Sequence, residues 1–203
     1  MKRLVAILVS LVMVVSLAAC DKQPVAEIEA AKASLEAAAS DGSEVFVAED
    51  FRKVNEAMAA AMDEVKVQDG KMFKNYDKAN EMLAGVMAEA QTVKAKAIAE
   101  RERLRLQSVA DLESARTAVV STRELLNQAP AGKGSAADIM VMKADLSGLE
   151  ATVVEIQAMV TAGDYSEASE RALSVKEKAG AISTEIEAAL AKKLAAQGKA
   201  KKK

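Results

Sequence analysis

One stretch of the chain constrains the fold more than any other: residues 86–128 contain neither Pro nor Gly, and their apolar residues recur mostly at helical spacing. That spacing puts them on one face of a helix with 3.6 residues per turn. With a start near Phe73, the pattern predicts one helix of about 55 residues, roughly 80 Å long at 1.5 Å per residue. Ala makes up about a fifth of the 203 residues and aromatics 2%. This composition disfavours β-rich and disordered chains, so we expect an all-α protein.

Turn signals divide the remainder into four more helices. The first ends at Asp41-Gly42-Ser43, and its apolar stripe is Val25, Ile28, Leu35 and Ala39. The second ends at Asp69-Gly70, and its stripe is Phe51, Val54, Met58, Met62 and Val65. Pro130, Gly132 and Gly134 form the clearest hinge. Beyond the hinge, a coiled-coil-like stripe runs from Ile139 to Val160, and Gly163-Asp164 turns into a last helix that carries Tyr165 to Leu190.

The two halves repeat each other. Residues 28–35 match 112–119 at an offset of 84, whereas Tyr76 and Ala79 match Tyr165 and Ala168 at an offset of 89. Each copy has three helices, and the third helix of the first copy continues into the first helix of the second. The predicted fold is therefore an elongated all-α bundle or coiled coil of two three-helix repeats that share one long central helix. The first repeat covers residues 24–108 and the second covers 109–190.

The N-terminus has the pattern of an export signal. Lys2 and Arg3 precede an apolar stretch from Leu4 to Leu17, which is short for a membrane span. Leu17, Ala18, Ala19 and Cys20 then resemble the lipobox of bacterial lipoproteins. The resemblance implies cleavage of residues 1–19, acylation of Cys20 with two or three chains, and a lipid-anchored linker over residues 20–23. An ordinary signal peptide with a free thiol and an uncleaved membrane helix are the alternatives, and the choice of inner or outer membrane stays open.

Each repeat also resembles an Ala-rich helical domain of unknown function that is found in bacterial lipoproteins. The shared features are an Ile/Leu-x-x-Ala helix, a polar turn and a Gly-x-x-Tyr/Phe-x-x-Ala helix pair, over residues 24–98 and, more weakly, 109–190. The segment from Gly163 to Ala168 is similar to the turn of a tetratricopeptide repeat. Because the 34-residue period of that family is absent, we attribute the similarity to helix packing against small Ala side chains.

The C-terminus is strongly basic on an acidic protein. Residues 192–203 hold six Lys and no acid, whereas residues 20–191 have a net charge of −10. The basic tail, residues 191–203, is expected either to contact anionic lipid, lipopolysaccharide or cell-wall polymer or to be a solubilising helix end. The residues of the first interpretation are Lys199, Lys201, Lys202 and Lys203. A lipid-bearing Cys, Ala-rich helices and a C-terminal Lys also resemble Braun-type lipoproteins, which implies covalent attachment of Lys203 to peptidoglycan, although this chain is longer and ends Ala-Lys-Lys-Lys.

Little in the sequence points to catalysis. The chain has no His and one Cys, so the commonest general base and Cys-only metal sites are excluded. Glu100 and Glu102, like Glu185 and Glu187, stand two residues apart and point to different sides of a helix. The ten Met residues continue the apolar stripes and are expected to pack in the core, not to bind a soft metal. We expect no enzyme, no cofactor beyond the lipid on Cys20, and no nucleic-acid binding.

The predicted function is that of a periplasm-facing, lipid-anchored cell-envelope protein acting as a spacer or as a protein-interaction adaptor. Its partner would be an envelope protein or a second copy of the chain. The expected binding surface is the stripe of residues 139–160 or its counterpart, residues 51–65, and either face should pair with another helix if the chain's own helices leave it uncovered. The alternatives are a lipid-binding, peptide-binding or chaperone-like module and a peptidoglycan tether through the basic tail.

Overall fold

The computed structural model describes residues 22–129 and 136–200. Every regular element in those ranges is an α-helix, which confirms the predicted class. The helices are α1 (Val25–Ser40), α2 (Ser43–Phe46), α3 (Ala48–Asp69), α4 (Asp77–Gln128), α5 (Ala136–Ala162) and α6 (Tyr165–Ala200). The single-turn helix α2 was not predicted, because Asp41-Gly42-Ser43 was interpreted as a plain turn.

The chain divides into two compact units between Arg101 and Glu102, within α4. Unit 1 contains α1, α2, α3 and the first part of α4, and unit 2 contains the rest of α4 with α5 and α6. Two three-helix repeats therefore share one long helix, as the sequence predicts. The boundary expected from the sequence, between residues 108 and 109, lies in the same helix.

Unit 1 closes its core by packing α1 and α3 against α4. Large apolar side chains such as Val54, Val65 and Leu83 meet Ala residues from all three helices. Ala31, Ala61, Ala79 and Ala90 are each 0% exposed. Since Ala has no side chain beyond Cβ, it lets the helices approach closely, and the larger residues fill the space between them.

Unit 2 builds its core in the same way. Leu146 and Ile156 of α5 are 0% exposed and pack with Leu112 and Val119 of α4 and with an Ala-rich face of α6. Buried hydroxyls join α4 to α6: the Thr122 hydroxyl lies 2.7 Å from Ser183 Oγ and 3.1 Å from the carbonyl oxygen of Ala179, and Ser169 donates to Asp111. These hydrogen bonds satisfy the Thr122 hydroxyl, which would otherwise be buried without a partner and would reduce stability.

Residues that match in the repeat occupy matching places. Ala31 and Ala115 are both 0% exposed, and so are Ala79 and Ala168. The two Tyr residues differ, because Tyr76 is 1% exposed and donates a hydrogen bond to Asp69, whereas Tyr165 is only partly buried. The repeat is thus preserved in the small residues at helix contacts.

The expected start of the long helix near Phe73 is wrong. The α4 helix begins at Asp77, whose backbone N–H donates a 2.8 Å hydrogen bond to the side-chain carbonyl of Asn75. Such a local side-chain bond stabilises a turn in place of a continuing helix. Phe73 therefore lies in the link between α3 and α4 and is 74% exposed.

Candidate functional site

Most residues of the expected lipidation and envelope-contact sites fall outside the described ranges. These are Leu17, Ala18, Ala19 and Cys20 of the expected lipobox, and Lys201, Lys202 and Lys203 of the basic tail. The backbone of Lys199 lies in the last turn of α6. The structure therefore neither tests nor positions the lipidation site.

The two apolar stripes expected to bind a partner are used within the chain. In α3, Val54, Met58 and Val65 belong to the core of unit 1. In α5, Leu146, Val153 and Ile156 belong to the core of unit 2, and Ile139, Met142 and Val160 pack against it. Helices of the same unit cover most of both stripes, so neither stripe as a whole is an uncovered face, although Ile139 and Met142 of the second stripe also line the groove described next. A helical stripe has the same spacing whether it faces its own core or another chain.

Unit 2 instead presents an open groove between the start of α5 and the second half of α6, beside the end of α4 at Ala129. Its volume is about 540 Å³. The floor is formed by apolar side chains that are partly or fully buried: Ile139, Met142, Ile182 and Ile186. Val141 stands at the edge of this floor and is 60% exposed. We call this feature the unit 2 groove.

The rim of the unit 2 groove is acidic. Asp138 and Asp145 of α5 and Glu185 of α6 line it together with one base, Lys192. Asp138 lies in the first turn of α5, where a negative charge also complements the positive end of the helix dipole. The combination of an apolar floor and three exposed carboxylates suits a ligand that is apolar on one side and cationic on the other.

The sequence does contain a signal for this groove, although the helical stripe alone does not show it. Ile139-Met140-Val141-Met142 are four consecutive apolar residues at the start of a helix. Consecutive residues on a helix point in different directions, about 100° apart, so one core face cannot cover all four. Ile139 and Met142 pack against the core, whereas Met140 and Val141 are 72% and 60% exposed.

A smaller cleft in unit 1 is crossed by an ion pair. It lies between α3 and α4, has a volume of about 300 Å³, and is lined by Asp50, Lys53, Val54 and Lys96 among others. Lys96 Nζ donates to Asp50 Oδ2 at 2.7 Å, and this hydrogen bond and charge lower the pKa of the Asp50 carboxyl. Lys78 of α4 lowers the pKa of Glu64 of α3 in the same way, and a hydrogen bond from the neutral side chain of Gln68 lowers it further. These pairs link α3 to α4, which indicates a structural role.

The other groups considered from sequence have structural places. Met58 is buried in the core of unit 1, and Met62, Met82 and Met87 pack against it, as the packing interpretation predicts. Over residues 22–129 and 136–200, no three or more Cys, His, Asp or Glu side chains form a group able to hold a metal ion. Glu185 lines the unit 2 groove, and Glu187 does not.

No helix in the described part of the chain is long and apolar enough to cross a membrane. Comparison of the chain with protein-family models, with curated proteins and with solved structures gave no match.

Proposed function

We propose that the protein is a lipid-anchored, non-enzymatic adaptor of the bacterial cell envelope. In this proposal, Cys20 holds the chain on the membrane and the unit 2 groove receives a partner. The anchor rests on the resemblance of residues 17–20 to a lipobox, and α1 begins only five residues after Cys20, at Val25. The observation that carries the adaptor role is the groove itself, where apolar side chains meet solvent beside three carboxylates.

The composition of the groove defines the partner. A segment that presents Leu, Ile or Phe to the floor would displace water from apolar surface and gain about 25 cal/mol per Å² buried. Lys or Arg on the flanks of that segment would face Asp138, Asp145 and Glu185. We therefore expect a basic amphipathic helix of an envelope protein, bound in the helix-in-groove mode.

A second candidate is a carrier of small apolar molecules. The volume of about 540 Å³ and the apolar floor favour it, since binding sites for small molecules fall in this size range. A carrier would place an acyl chain or a peptide in the groove for transport, whereas an adaptor would hold one partner protein.

The two candidates are separated by photo-cross-linking in intact cells. A benzophenone amino acid replaces Val141 at the groove, and a matched variant carries it at Val154 of the same helix, which is 70% exposed and does not line the groove. An adaptor gives one defined envelope protein at position 141, cross-linked through a basic amphipathic segment and absent at 154. A lipid adduct at 141 would indicate a carrier. Equal products at both positions would refute the groove as a binding site.

The basic tail needs a separate variant, because Lys192 belongs to the groove. Replacing Lys199, Lys201, Lys202 and Lys203 by Gln leaves Lys192 in place. If the tail binds peptidoglycan or anionic lipid, this variant loses the corresponding sedimentation with isolated cell wall while its cross-link at position 141 is unchanged. Unchanged sedimentation would contradict a tether through the tail.

A further inference from the structure

The chain segment that precedes α1 lies at the same end of unit 1 as the link between α3 and α4. Gln23 donates a side-chain hydrogen bond of 3.1 Å to Asp69, the last residue of α3. Asp69 also accepts a hydrogen bond from the hydroxyl of Tyr76 and lies 3.8 Å from Lys74 Nζ. These contacts hold residue 23 against the link of residues 70–76.

This link exposes large apolar side chains. Met72 and Phe73 are adjacent in sequence and are 85% and 74% exposed. Val67, in the last turn of α3, is 55% exposed. A folded domain normally turns such side chains inward, so two neighbouring ones at the tip of a turn indicate a surface that meets something apolar.

The basic residues of the link favour contact with one kind of apolar surface, the boundary of an anionic bilayer. Within the link, residues 70–76 contain Lys71 and Lys74 and no acid, although Asp69 and Asp77 flank it and residues 20–191 as a whole have a net charge of −10. Apolar side chains between Lys residues are typical of segments that rest at the boundary of an anionic bilayer. There the apolar groups enter the headgroup region and the ammonium groups face lipid phosphates.

Chain length brings the link close to the expected anchor. Cys20 precedes Gln23 by three residues, and consecutive Cα atoms are at most about 3.8 Å apart, so the two Cα atoms are at most about 11 Å apart. An acylated Cys20 would therefore hold this end of unit 1 within reach of the lipid headgroups.

The geometry points to a second membrane contact: the link of residues 70–76 rests on the bilayer that holds the lipid on Cys20. Met72 and Phe73 enter the interface, and Lys71 and Lys74 contact anionic headgroups. This inference rests on the proposed lipid anchor. It adds that the anchor is not a free tether, because a second contact beside it fixes which end of unit 1 faces the membrane.

The test uses tryptophan as a depth probe, since the chain contains no Trp. Phe73→Trp is made in the full chain, and the mature lipoprotein is placed in vesicles of phosphatidylethanolamine and phosphatidylglycerol. Val45→Trp is the matched control, because Val45 is 77% exposed and lies in α2, at the end of unit 1 where Asp41 and Asp50 pair with Lys94 and Lys96. Lipids with brominated acyl chains quench only a ring that enters the bilayer.

We expect the emission of the Phe73→Trp variant to shift to the blue and to lose roughly half of its intensity to brominated lipid, since an interfacial ring lies near the acyl boundary. The indole of the Val45→Trp variant should behave as a side chain in water. Adding Lys71→Gln and Lys74→Gln to Phe73→Trp should reduce the shift in anionic vesicles and leave it unchanged in neutral ones. Both probe positions are exposed, so a circular dichroism spectrum equal to that of the parent chain confirms that the fold is intact.

The mass of the mature N-terminal peptide separates the two proposals. A lipidated Cys20 with the indole at position 73 still in water would overturn the second contact alone and would favour a protein partner for the link. A mature chain without lipid on Cys20 would overturn both the anchor and this contact. Equal quenching of the Phe73→Trp and Val45→Trp variants would also refute the inference, because it would show no preferred end.

Discussion

Replacing Leu83 by Ala is the sharpest test of how unit 1 is held together. Leu83 is 0% exposed and lies on α4, in a core that it shares with α1 and α3. The substitution removes three buried carbon atoms, worth about 2.4 kcal/mol at about 0.8 kcal/mol each. It also leaves a void that the neighbours cannot close, because many of them are Ala and have no rotamers to rearrange.

The void adds a second contribution. A residual cavity of about 50 Å³ costs roughly 1.2 kcal/mol at about 24 cal/mol per Å³. We therefore expect Leu83→Ala to lower the free energy of unfolding of unit 1 by about 3.5 kcal/mol. The measurement is urea unfolding followed by circular dichroism, combined with hydrogen exchange resolved along the sequence.

Two Leu residues provide matched controls. Leu106 lies on the same helix but is 56% exposed, so Leu106→Ala should cost less than about 1 kcal/mol. Leu146 is 0% exposed in the core of unit 2, and Leu146→Ala should reduce exchange protection in α5 and α6, whereas Leu83→Ala reduces it in α1 and α3. A loss below about 1 kcal/mol for Leu83→Ala, or identical exchange maps for the two buried variants, would refute two separately closed cores.

Two further predictions concern charge and backbone. Lys96 lowers the pKa of Asp50, so their pair stabilises unit 1 fully above the ordinary carboxyl pKa and the contribution is lost as the pH falls through the lowered native value. Lys96→Met should therefore flatten the acid limb of a stability-against-pH curve, and an unchanged limb would contradict this coupling. Gly163 has a backbone φ of +97°, so Gly163→Ala should lower the free energy of unfolding by about 1 kcal/mol. Gly148 lies inside α5 next to open space, so Gly148→Ala should raise the free energy of unfolding by about 0.5–1 kcal/mol. Thermal unfolding compares the two variants directly. A change in melting temperature of the same sign for both would refute the backbone argument.

Helical spacing predicted the five longer helices and that α4 is shared between two repeats. It succeeded because each helix buries one face, and burial leaves a period in the sequence. The same reasoning placed Phe73 in a helix, since its distance from Tyr76 fits the period. The local hydrogen bond between Asn75 and Asp77 decided otherwise.

The candidate site was less predictable for a physical reason. Whether a stripe such as residues 139–160 faces its own unit or a partner depends on which helices cover it, and spacing along one helix carries no information about that. The unit 2 groove arises where α5 and α6 leave side chains such as Val141 uncovered. Its rim brings Asp145 and Glu185 together from distant parts of the sequence, so only the fold reveals their proximity.

The shared helix α4 has a consequence for the order in which the two units can fold. Residues up to Arg101 contain every side chain of the unit 1 core, so the contacts of that core do not require residues 102–203. Leu112 and Val119 have no such partners until α5 and α6 follow. A chain interrupted after α4 and before α5 would display that apolar stripe to solvent, and such an uncovered stripe is prone to aggregate.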